Sequence, residues 1–120
     1  HRDQSVKMVF VINQELKMSK GKIAAQVGHG AVKATLKSGE VRPELLDAWL
    51  STGQKKICVK ADKANDLKRI EQQAKQDGVL TTTIHDAGHT QIPAGSLTVL
   101  VLGPDEESKL DTITGQLKLL

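Results

Sequence analysis

The sequence predicts an α/β domain of three layers, a mixed and mostly parallel sheet of about four strands flanked by about four helices. Three observations carry that expectation. Short apolar runs rich in β-branched residues recur along the chain, segments with helical spacing of apolar residues separate them, and glycine or proline stands at most of the junctions. A length of 120 residues suits one domain, with no internal repeat, linker or low-complexity tract to divide it.

Lys7-Met8-Val9-Phe10-Val11-Ile12 reads as a central strand buried on both faces and ended by Asn13. Residues 1–6 before it are expected to be a flexible N-terminal segment, leaving 7–120 as the domain. A first helix should start near Ser19 and fade at Lys37-Ser38-Gly39, where glycine offers a left-handed stop. Pro43 suits the first position of a short helix carrying Leu45, Leu46, Trp49 and Leu50, which Gly53 would end. Lys56 to Lys60 reads as a second strand. Asp62 can cap a helix over 63–77 with Leu67, Ile70 and Ala74 inward, closed by Gly78. Val79 to Ile84 and Leu97 to Leu102 have strand character, the latter ending at Gly103-Pro104, with a polar loop between them. Asp105-Glu106-Glu107 suits the first turn of a last helix ended by Gly115, and the tail from Gln116 to Leu120 should add to the sheet or pack on it.

Composition narrows the function classes. Lysine and arginine number 17 against 14 acids, a net charge of +3 with a pI near 9.1, which fits a polyanionic partner. With one phenylalanine, one tryptophan and no tyrosine, the chain lacks the aromatic platforms on which single-stranded readers stack bases, so nucleic acid would be gripped through phosphates and shape. The single cysteine, Cys58, stands in an apolar run and reads as a small buried hydrophobe. It excludes a disulfide framework or a four-cysteine metal site and fits a reducing compartment such as the cytoplasm. No apolar run approaches the roughly 20 residues that span a bilayer, and no signal peptide is visible. Because the chain starts at His1, an address such as a mitochondrial one would lie in an upstream segment.

Two segments carry candidate chemistry. In the first helix Lys22, Gln26, His29 and Lys33 fall on one face, while Ile23, Val27, Ala31 and Ala34 form an apolar stripe. Polar residues on an outer face need no function, but the lysines at the start of this helix oppose its dipole, and an anionic partner explains them better than folding does. Gly28 and Gly30 each cost roughly 1 kcal/mol against alanine in a helix, which points to close approach of backbone or ligand. The second segment, His85 to Ser96, packs two histidines, an aspartate and several hydroxyl and amide side chains into one connection between strands. Turn chemistry alone does not require that density.

The order Lys17-Met18-Ser19-Lys20-Gly21-Lys22-Ile23-Ala24-Ala25-Gln26 with His29 behind it, then Asp86-Ala87-Gly88-His89-Thr90-Gln91-Ile92 and Pro93-Ala94-Gly95-Ser96 before a strand containing Thr98, resembles the type II peptidyl-tRNA hydrolases of archaea and eukaryotes. The resemblance runs from Lys7 to the closing leucines and rests on the joint presence of both motifs. It implies hydrolysis of the ester joining a peptide to the terminal ribose of tRNA, in 7–120 as a catalytic domain, with no cofactor and no metal. The implied catalytic set is Lys22, His29, Asp86 and Thr90. Asp86 would orient and deprotonate a water with Thr90 fixing it, Lys22 would neutralise the oxyanion, and His29 is the alternative base, with the sequence not choosing between Asp86 and His29. Lys17, Lys20 and Lys33 would hold the tRNA backbone, and Gln26, Gln91, Ser96 and Thr98 would hydrogen-bond substrate. Relatives often pair as homodimers. Two departures stand out: His89 where arginine is common, and glycines around His29 where serine and alanine are common.

Structural roles compete at several of these positions. Lys22 can serve as a phosphate clamp only, His29 can bond across the helix–sheet gap, and Thr98 can be structural. No glycine-x-serine-x-glycine elbow supports a serine nucleophile, and Ser19-Lys20-Gly21-Lys22 lacks the glycine and hydroxyl of a mononucleotide P-loop. His29, His85 and His89 have no zinc-ligand spacing. The competing class is a non-catalytic RNA-binding or signalling module with the same basic face.

Overall fold

The structure is a computed structural model and describes residues 5–87 and 95–120. Strand β1 (Val6–Asn13) leads through a single 3-10 turn (Gln14–Leu16) into helix α1 (Lys20–Val41) and then α2 (Pro43–Ser51). Strand β2 (Lys56–Ala61), helix α3 (Ala64–Gln76), strands β3 (Thr81–His85) and β4 (Leu97–Glu106), and helix α4 (Glu107–Thr114) follow. The four strands lie in the order β2-β1-β4-β3.

Among the described residues, three layers, four strands and four helices match the fold class read from the sequence, but the expectation of mostly parallel pairing needs correction. β1 pairs with β2 in parallel, whereas β4 is antiparallel to both β1 and β3. The cause is one reversal. Helices link β1 to β2 and β2 to β3, so those three strands point the same way, while residues 86–96 are too few for a crossover and return the chain as a hairpin. Since β4 inserts between β1 and β3, that single reversal makes two of three pairings antiparallel.

Strand alternation divides the core. Met8, Phe10, Ile12, Val99 and Val101 turn to the α1 and α2 side, with Trp49 and Ala34. Val9, Val11, Leu100 and Leu102 turn to the α3 and α4 side, meeting Leu67, Ala74, Leu110 and Ile113. The buried residues of α1 are Gln26, Gly30, Ala34 and Ser38, one row at a spacing of four. Ile23, Val27 and Ala31 pack beside them on the same core. Gly30 is needed there, because a Cβ would stand 2.8 Å from Val101 Cγ2. Gly28, by contrast, faces open space.

Several junctions move from their expected places. α1 continues through Gly39 to Val41, and Gly39 serves contact between helices, a Cβ there lying 3.4 Å from Leu46 Cδ2. β4 runs past Gly103-Pro104 to Glu106. The start of α3 is fixed by the Asp66 carboxylate, which accepts from the Lys63 backbone N–H at 3.2 Å, and not by Asp62. The tail does join the sheet: Lys60 N–H donates to the Lys118 carbonyl at 3.0 Å and Leu120 N–H to the Cys58 carbonyl at 3.1 Å. Cys58 is half-buried, and burial pushes its thiol pKa up, in keeping with an unreactive packing residue. Among the described residues no helix is long and apolar enough to cross a membrane.

Candidate active site

β1, β2 and β3 all end at one end of the sheet, where β4 begins, and the start of α1 lies over it. Asn13 ties this end together. Its Nδ2 donates to the Leu97 carbonyl at 2.9 Å and its Oδ1 accepts from the Glu15 N–H at 3.1 Å, so one side chain joins the exit of β1 to the entry of β4. The sequence reading used Asn13 only as a strand terminus. A polar residue closing a continuous apolar run was the available signal.

Lys17 completes the 3-10 turn in the left-handed region with φ 48, and Ser19 caps α1, its Oγ accepting from the Lys22 N–H at 3.2 Å. These local bonds fix where α1 starts and which way Lys22 in its first turn projects. On the facing segment, Asp86 follows β3 directly. Its N–H donates to the Ser96 carbonyl and its carbonyl accepts from the Gly95 N–H, both at 2.9 Å, which pins the base of the hairpin.

The two motif segments meet here: Lys22 Nζ donates to Asp86 Oδ1 at 2.5 Å. The Asp86 side chain has no exposed surface, whereas that of Lys22 is 19% exposed. A buried carboxylate is tolerable only when it is paired and hydrogen-bonded, so the ammonium is part of what keeps Asp86 in place as an anion. One turn further along α1, Gln26 Nε2 donates to Thr98 Oγ1 at 2.8 Å, and Thr98 Oγ1 donates to the Ile84 carbonyl at 2.9 Å. This relay locks α1 onto β3 and β4 below the ion pair.

The remaining candidates are distributed unevenly. Gln26 is 5% exposed and Thr98 fully buried, and their hydrogen bonds hold in place the helix that carries Lys22. Lys17 and Lys20 are exposed at the rim and His29 is exposed on α1 beyond Gln26. Lys33 is exposed too, and its Nζ donates to the Thr83 carbonyl at 3.2 Å. Ser96 is partly buried beside Asp86. Thr90 and Gln91 lie outside the described residues, as does His89. Among the described residues there is no group of three or more His, Cys, Asp or Glu side chains placed to hold a metal ion.

A buried carboxylate paired with a partly exposed ammonium, at strand ends and behind a rim of lysines, defines a polar site suited to water activation next to an anionic ligand. Comparison with known proteins places the chain in a family. The family model for peptidyl-tRNA hydrolase PTH2 matches residues 6–120. A peptidyl-tRNA hydrolase of Thermococcus onnurineus is 47% identical over 114 residues, covering 95% of this chain and 97% of its own. One from Methanocaldococcus jannaschii is 44% identical over 115 residues, 96% of this chain and 100% of its own. A probable peptidyl-tRNA hydrolase 2 of Drosophila melanogaster is 45% identical over 118 residues, which cover 98% of this chain and 63% of that protein. The chain belongs to the PTH2 peptidyl-tRNA hydrolase family.

Proposed function

We propose that this protein hydrolyses the ester bond of peptidyl-tRNA, releasing peptide and a reusable tRNA. The observation that carries the reading is the Lys22–Asp86 pair, which joins both motif segments in one site. Asp86 orients a water and takes its proton as oxygen attacks the ester carbonyl, with Thr90 supporting the carboxylate or the water. Lys22 has three N–H donors, so while one holds Asp86 another can face the oxyanion that develops on the carbonyl oxygen. Collapse of the tetrahedral species breaks the bond to the ribose oxygen, which receives the proton. His29 is the second candidate base, about two turns further along the same face of the helix.

Lys17 and Lys20 at the exposed start of α1 bind tRNA phosphate, helped by the helix dipole only through its N–H groups, since their own charge opposes it. Lys33 also meets the tRNA backbone, Gln91 and Ser96 hydrogen-bond the substrate, and no cofactor is required for the chemistry assigned. Action in the cytoplasm, or in mitochondria for a chain addressed there, and pairing as a homodimer belong to the same reading; sedimentation measures the latter.

The test is cleavage of an N-blocked aminoacyl-tRNA by the wild type, Asp86→Ala and Lys22→Ala. Loss of one proton-transfer group should slow hydrolysis by about 10²- to 10⁴-fold, and loss of the ammonium by about 10²- to 10³-fold. Binding of tRNA with no cleavage above buffer would leave a binding module with this fold.

A further inference from the structure

β3 has β4 on one side and, among the described residues, no strand on the other. Leu80 turns its carbonyl to Gly103 N–H and Asp86 its N–H to the Ser96 carbonyl, so even-numbered residues of this segment face β4. The peptide groups of Thr81, Thr83 and His85 therefore face outward, as strand alternation requires. Two of the three outward carbonyls, those of Thr81 and Thr83, are met by side chains and not by backbone. Lys37 Nζ donates to the Thr81 carbonyl at 2.7 Å and Lys33 Nζ to the Thr83 carbonyl at 3.2 Å. Lysines are a common guard on an exposed edge, and these two come from α1, the helix that also supplies Lys22. The edge they guard runs straight into Asp86.

We propose that the outer edge of β3 is the binding line for the peptide moiety of the substrate, which pairs with it as an added parallel strand. The inference rests on the hydrolase reading above and deepens it. A peptide whose C-terminal ester lies at Lys22 and Asp86 extends backwards along β3, so both chains run in the same direction. Its alternate carbonyls accept from the outward N–H groups of Thr83 and His85, and its N–H groups replace the ammonium groups of Lys33 and Lys37 on the Thr83 and Thr81 carbonyls. Recognition through main-chain bonds reads no side chain, which suits a substrate whose peptide sequence varies. The five residues of β3 span roughly 17 Å, enough to contact about five residues of peptide.

The experiment uses the full chain and N-acetylated pentapeptidyl-tRNA bearing one backbone N-methyl group at each position in turn, with N-acetyl-aminoacyl-tRNA as control. N-methylation should raise KM about five- to tenfold at every second residue and leave the intervening residues and kcat unchanged, the loss of one hydrogen bond each time. Thr83→Pro removes an outward N–H without touching the β4 ladder; it should raise KM for the pentapeptide substrate and not for the control. A KM indifferent to N-methylation, or one that rises without a period of two, overturns the edge-pairing proposal while cleavage of the control upholds the hydrolase. Failure to cleave the control overturns both. Should Thr83→Pro not fold, the N-methyl series decides alone.

Discussion

Lys22–Asp86 and Lys7–Asp111, two of the lysine–aspartate pairs that hold helices to the sheet, lie at its opposite ends and are buried in opposite senses. In Lys22–Asp86 the carboxylate has no exposed surface and the lysine is the outer partner. In Lys7–Asp111, at the start of β1, the lysine is the buried group and the aspartate is 58% exposed. A buried lysine that reaches a surface carboxylate on α4 anchors a helix and offers nothing to a ligand. A buried carboxylate behind a partly exposed ammonium holds an anion next to a cation that still has donors to give. The same two residue types thus make a fastening at one end and a reactive pair at the other.

The sharpest way to break that contrast is to remove the outer partner of each pair. Lys22→Ala should lower kcat by about 10²- to 10³-fold, whereas Asp111→Ala should leave kcat within about twofold and cost about 1 kcal/mol in a denaturant titration, since its partner is buried but its own side is screened by water. Equal kinetic effects from both would erase the distinction.

A second contrast sits within α1. Gly30→Ala places a methyl against Val101, so overpacking of about 1–3 kcal/mol opposes the gain in helix propensity and should lower stability. Gly28→Ala meets nothing and should raise stability by roughly 1 kcal/mol. Thermal melts of the two variants should shift in opposite directions.

The smallest effects concern groups away from both pairs. Thr82 Oγ1 is buried and has no hydrogen-bond partner among the described residues, so Thr82→Val, similar in shape, should stabilise the fold by about 1 kcal/mol by chemical denaturation. The raised thiol pKa of Cys58 keeps it protonated at pH values where a free cysteine has begun to ionise. Its reaction with a disulfide reagent at pH 8 should be slower than that of a free thiol, and the gap should narrow as pH rises.

Local pattern accounted for most elements, because apolar runs and helical spacing are properties of contiguous residues. The pairing of Lys22 with Asp86 was legible as a pair of motifs and became a contact only through the fold. Other features depend on neighbours distant in sequence. The reversed β4 follows from a hairpin whose polar content resembled a functional loop more than a turn. Gly39 looks like a helix stop until Leu46 is seen against it, and Gln26 looks like part of an outer polar stripe until Thr98 gives its amide a buried partner. Lys33, read as a phosphate ligand, reaches an edge carbonyl that no local rule reveals.

The close seat of α1 on β4 at Gly30 has a mechanical consequence. Lys22 lies eight residues before it, about 12 Å along the axis at 1.5 Å per residue. The helix is a beam that rests on this fulcrum, and a tilt of about 5° there swings its front end by about 1 Å. A misplacement of that size is enough to cost a catalyst about two orders of magnitude. Aim of the ammonium is therefore set as much by a missing methyl group deep in the packing as by anything touching the carboxylate.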